Sequence, residues 1–178
     1  MADRDTSLWM YRALFVALFV AVAFVQLLPL EMGPGQIPGP DILMLLAFSW
    51  VVMRPDYVPV FLIAAIFFVA DLLFMRPLGL WTALVVLGTE FLRNRSFTLR
   101  DTPFPIEWLM VSGVIVAVFL ANMLALGLFA VIQPSLGLTL IGLIATILAY
   151  PLVVILAGRA FGLRKIVPGE VDRLGHRQ

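Results

Sequence analysis

Apolar residues in this chain run in long blocks, with polar residues crowded into short gaps between them. Six blocks stand out, over residues 8–30, 37–53, 58–76, 78–93, 106–132 and 136–161. A membrane-spanning helix needs about 20 predominantly apolar residues, and most of these blocks approach that length. Neither strict alternation nor a clean amphipathic stripe marks them, so they read as helices apolar on all sides. The gaps carry helix-stopping chemistry: "EMGPGQIPGP" after the first block, "RPDY" after the second, "RPL" after the third and "QPS" after the fifth. Connections this short make consecutive helices antiparallel neighbours. Pro151 falls inside the sixth block and predicts a kink there. The longest connection, "RNRSFTLRDTPFP", mixes Arg with Phe and Leu and is expected to lie along a membrane surface. Residues 162–178 form a polar tail.

The second block is the weakest. Its core "DILMLLAFSWVVM" has 13 residues, short enough for a re-entrant segment. Charge placement favours a crossing. With six spans and a cytoplasmic N-terminus, Arg4, Arg12, Arg54, Arg93, Arg95, Arg100, Arg159, Arg164, Lys165, Arg173 and Arg177 fall on one side, and Arg76 alone on the other. That bias follows the positive-inside rule, and removing the second crossing would spoil it. Trp9, Trp50, Trp81 and Trp108 fall near span ends, as an aromatic belt requires. The first block is longer than the ~7–15-residue core of a signal peptide and is read as a retained span.

Composition agrees. The chain of 178 residues is 62% hydrophobic and 13% charged, with mean hydropathy +1.06. Soluble domains carry about 25% charged residues, so too few polar side chains remain here to cover a water-facing surface. The expected fold is an all-α polytopic membrane protein, a single six-helix domain with both termini in the cytoplasm. The absence of cysteine excludes disulfides and thiolate metal ligation. No basic run suggests nucleic-acid binding.

Few residues could carry chemistry. Asp71 sits in "FFVADLLFM", about 8 Å from the outer end of the third span at 1.5 Å per residue. A carboxylate there is costly, by about 2.5–3.5 kcal/mol at a span centre and less off centre. Three readings stay open: a structural anchor accepting hydrogen bonds from helix four, an ion pair with Arg76, or a proton or ion site. Glu90 lies three residues before Arg93, the spacing of an ordinary helical ion pair. Asn122 is the deepest uncharged polar group, amid Gly113, Ala117, Ala121, Ala125 and Gly127, a pattern that lets helices approach closely. His176 is the only histidine, so no Ser-His-Asp set is available in the membrane. Asp71 and Glu90 lie toward opposite faces, which excludes a two-carboxylate hydrolase. No enzyme, cofactor or metal is expected.

The stretch "RPDYVPVFLIAAIFFVADLLFMRPLGLWTALVVLGTEFL" resembles the central signature of the rod shape-determining MreD family. The matching residues are Arg54-Pro55, Asp71-Leu72-Leu73 and Pro77-Leu78-Gly79, and "PGPDILMLLAFSWVVMRPDYVP" is similar to alphaproteobacterial members. The match covers residues 38–95, and the flanks agree in hydropathy. Met75-Arg76 departs from the pattern, since many relatives place a small residue before the turn. The resemblance implies a non-enzymatic scaffold of the cell-elongation machinery in the bacterial inner membrane. Its partner would be MreC, with the MreB cytoskeleton, RodA and a class B penicillin-binding protein further removed, and membrane lipid around it. It also implies a fold similar to the substrate-binding S-components of energy-coupling-factor vitamin transporters. The alternative is therefore that the chain is itself an S-component. Such proteins meet their coupling subunit through small residues on span one, and Ala13, Ala17 and Ala21 stand here at four-residue spacing. That spacing is equally a generic helix-docking device. The low polarity of "EMGPGQIPGP" and "QPS" favours the scaffold. On that reading Asp71 locks the hairpin between spans three and four.

Overall fold

A computed structural model describes residues 2–28, 38–100, 102–129 and 135–161. Among them are six α-helices and no strand: α1 (Ala2–Leu27), α2 (Ile42–Met53), α3 (Val60–Leu73), α4 (Leu80–Arg100), α5 (Phe104–Leu128) and α6 (Leu136–Phe161). A single 3-10 turn, Pro55–Tyr57, links α2 to α3. Three segments are long and apolar enough to cross a membrane: Leu8–Leu27, Phe104–Leu128 and Leu136–Arg159.

The bundle is built around α2. Every residue from Leu43 to Met53 is buried, because the helix packs against α1, α4 and α6. Its apolar-all-round sequence is what such a position demands. Phe48, Trp50, Leu45 and Met44 fill the centre. Helix α1 joins through aromatic pairs: Phe15 with Trp50 at 5.2 Å, Phe19 with Phe67 at 5.0 Å, and Tyr11 stacked on Tyr57 at 4.4 Å. Aromatic pairs at these separations add about 0.5–1.5 kcal/mol each beyond area burial.

Several boundaries differ from the sequence reading. The second block predicted 37–53, but α2 starts only at Ile42. Pro38 and Pro40 lack the N–H groups a helix needs, and Asp41 caps the helix by accepting from Met44 N–H at 3.0 Å. At 12 residues α2 is about 18 Å long, and α3 at 14 residues about 21 Å, both short of the ~30 Å hydrocarbon core. The third block predicted 58–76, yet α3 stops at Leu73. Arg76 N–H returns to Asp71 C=O at 3.0 Å and Met75 N–H to Leu72 C=O at 3.4 Å, with Met75 at φ 50°. These are the bonds of a Schellman stop, a place where glycine is the usual residue. Pro77 lies in the turn that follows, and Gly79 at φ 78° opens α4.

The largest correction concerns "RNRSFTLR". It is not a surface loop; it continues α4 to Arg100. Leu92, Ser96 and Leu99 are fully buried at helical spacing, while Asn94, Arg95, Phe97 and Thr98 are exposed. No Pro or Gly interrupts residues 89–100, so this amphipathic stripe extends the helix. The fifth block predicted 106–132, whereas α5 runs from Phe104 with Pro105 in its first turn. Helix α6 continues through Pro151 to Phe161. The tail at 162–178 lies outside the described residues, as do most of "EMGPGQIPGP" and the "QPS" connection.

Candidate functional site

At one end of the bundle, α2 and α4 begin below the ends of their neighbours, and each start is met by a carboxylate. Asp71 closes α3 and faces the start of α4. Its Oδ2 accepts from Gly79 N–H at 3.1 Å, Thr82 N–H at 3.2 Å and Thr82 Oγ1–H at 2.8 Å. The side chain is fully buried, and Oδ1 has no hydrogen-bond partner among the described residues. A helix N-terminus leaves its first N–H groups unpaired and carries a positive partial charge, so a carboxylate is the natural acceptor. Of the three readings of Asp71, these bonds are those of the anchor to helix four. Arg76 does not pair with it. Instead, Arg76 Nη1 lies 3.5 Å from Asp41 Oδ2, and the guanidinium sits over the rings of Phe74 and Trp81 at 5.2 and 5.1 Å.

Asp41 does the same work for α2 that Asp71 does for α4. While its carboxylate caps Met44, its backbone N–H donates to Thr146 Oγ1 at 3.1 Å, and that hydroxyl donates to Gly142 C=O at 2.6 Å. Thr146 lies ten residues into α6, so α6 begins about 15 Å before that contact, measured along its axis. Likewise Trp81 packs edge-on against Phe119 at 5.5 Å, and α5 runs nine residues, about 14 Å, past that contact. The polar cluster of Asp41, Asp71, Arg76, Thr82 and Thr146 is therefore recessed between longer apolar helices. The first backbone N–H groups of both helices are thus satisfied from within the protein, by the two aspartates.

The opposite end is organised by Arg93. Its Nε donates to Glu90 Oε1 at 2.7 Å, and its Nη atoms donate to the Pro55 and Val58 carbonyls. The Glu90–Arg93 pair has the expected i,i+3 geometry. Arg54 ends α2, with N–H bonded to Trp50 C=O at 2.7 Å and guanidinium 5.8 Å over Tyr57; Pro55 is buried at the start of the 3-10 turn. One further buried pair joins α5 to α6: Tyr150 O–H donates to Glu107 Oε1 at 2.9 Å.

The remaining candidates are arranged differently from expectation. Ala13, Ala17 and Ala21 are exposed on α1, on the face opposite buried Phe15, Phe19 and Ala23. Asn122 is half-buried, and its side chain has no hydrogen-bond partner among the described residues, so it does not bridge helices there. Nor does the small-residue face of α5 draw a helix close. A Cβ at Gly113 would meet nothing within 4 Å. Gly113, Ala117 and Ala121 instead line an open apolar groove of about 470 Å³ between α4 and α5. The close approach occurs at Gly88, where a Cβ would stand 2.9 Å from Phe48 Cζ and 3.1 Å from Val114 Cγ1.

Sequence reading passed over Asp41, Thr82, Thr146, Glu107 and Tyr150. Asp41 had a signal, since an Asp directly before an apolar run is a helix N-cap pattern. The Glu107–Tyr150 pair, 43 residues apart, had none.

Among the described residues, fold and site together define an all-helical bundle with three segments long and apolar enough to cross a membrane, and polar helix ends satisfied from within. Compared with family models, characterised proteins and solved structures, the chain has no match to any of them.

Proposed function

We propose that this chain is a non-enzymatic, MreD-like scaffold of the bacterial inner membrane, crossing it six times with both termini in the cytoplasm. It would bind MreC and, through it, help position peptidoglycan synthesis by RodA and a class B penicillin-binding protein along MreB. The observation that carries the reading is the Asp71 cap. The Asp and the Gly of the resembled signature, eight residues apart, are hydrogen-bonded to each other, and so give one rigid hairpin. A scaffold needs such fixed edges more than it needs reactive groups. The two short helices fit six crossings because their polar ends are closed by Asp41, Asp71 and Arg93 rather than by water.

The S-component alternative draws on the recessed polar cluster, which lies where such a protein would hold a ligand. Against it, most of the cluster's polar atoms already bond one another. Isolation of a tagged copy from native membranes in mild detergent separates the two. Co-isolation of an MreC-like protein with elongation synthases supports the scaffold. A coupling subunit with paired ATPases would replace it with the transporter reading.

A further inference from the structure

An apolar groove runs between α4 and α5, and it ends on a cation. On α4, Leu84, Leu87, Gly88 and Phe91 line it, and Arg95 follows one turn later on the same face. Arg95 is exposed, and its Cζ sits 5.7 Å over the Phe91 ring, so the charge is held at the groove mouth. Glu90, the nearest carboxylate on α4, is taken by Arg93, and Arg95 has no ion pair among the described residues. The opposite wall is Gly113, Ala117 and Ala121, with open space in front of Gly113.

We propose that this groove binds one anionic phospholipid, with an acyl chain laid along α4 and α5 and the phosphate on Arg95. Shape selects the chain over a helix. A helix is about 10–12 Å across with its side chains and would ride on the rims, where Leu87 and Phe91 are 67% and 48% exposed. A hydrocarbon chain one methylene wide reaches the floor. Charge selects the headgroup. An unpaired arginine at the membrane surface favours an anionic lipid over a zwitterionic one. The site rests on the six crossings of that reading, which place α4 in the membrane, and not on the binding of MreC.

The test uses the full-length protein in lipid nanodiscs containing a trace of phosphatidylglycerol or phosphatidylcholine with a photoreactive diazirine in the acyl tail. After irradiation, mass spectrometry maps the adducts. Phosphatidylglycerol adducts should concentrate on the groove residues, about fivefold over phosphatidylcholine, the preference one juxtamembrane cation confers. Arg95→Gln should lower phosphatidylglycerol labelling to the phosphatidylcholine level. Ala117→Phe, which fills the groove from an exposed position, should remove groove adducts of both lipids. Should Ala117→Phe fail to fold, Arg95→Gln decides alone. Equal labelling of all apolar faces, an unchanged lipid ratio in Arg95→Gln, or a groove shielded from both lipids by a second copy or another helix would each overturn the proposal.

Discussion

Asp71 and Gly88 are the positions where a single atom matters most. Asp71 Oδ2 satisfies three donors, two of them backbone. Asp71→Asn keeps an acceptor oxygen in place and should retain most stability and partner binding. Asp71→Leu leaves buried donors unpaired, at about 1–3 kcal/mol for each group, and should lower the melting temperature in detergent sharply. If Asp71→Leu melts like the parent, the anchor role is wrong. Gly88→Ala pushes a methyl into the Phe48 ring and should cost about 1–3 kcal/mol, the usual penalty of overpacking. Gly113→Ala meets open space and should be neutral or gain up to about 1 kcal/mol from helix propensity. The same melting series checks both. Sequence pattern alone assigned the close approach to the small-residue run from Gly113 to Gly127 around Asn122, because such a run cannot say whether a helix or a groove lies opposite.

Among the elements, α4 departs furthest from the sequence reading and holds the bundle's ends together. Its N-terminus is tied to α3 by Asp71, and its far half reaches the α2–α3 turn through Arg93. Arg93→Ala should release the Pro55 and Val58 carbonyls and speed hydrogen–deuterium exchange across residues 54–60. Arg93→Lys should restore only part of the protection, because an ammonium cannot reach Glu90 and two carbonyls with the fork geometry of a guanidinium. Unchanged exchange in Arg93→Ala would remove this role. The apolar cores of the helices were legible because an unbroken run of Leu, Val and Phe permits little else. The ends were not. Charges mark a boundary in sequence, yet the polar half of α4 stays helical because Leu92, Ser96 and Leu99 still face the core. The start of α2 is set by Pro40 and by a hydroxyl 105 residues away, which no local pattern encodes.

For the whole molecule, topology is the first question. The chain has no cysteine, so single labelling sites can be added to a silent background. Met75 and Asp56 are exposed at opposite ends of α3. With six crossings, Met75→Cys should react with an impermeant maleimide from the periplasmic side, and Asp56→Cys only after the membrane is opened. Reaction of both from one side would mean that α3 does not cross. An active alkaline-phosphatase fusion at Gln178 would contradict the proposed cytoplasmic C-terminus in the same way.

Helix α5 outruns the start of α4 by about 14 Å, and the excess is apolar: Leu120, Leu124 and Leu128 are all exposed. With the six crossings proposed above, the protein would offer the bilayer two hydrophobic thicknesses at once, tall along α5 and low along the α3–α4 hairpin. Lipid meeting it must compress on one flank and stand at full height on the other, at fractions of a kcal/mol for each Å of mismatch. A thinned rim of this kind gives neighbouring membrane proteins a reason to gather at the low flank before any side chain recognises another.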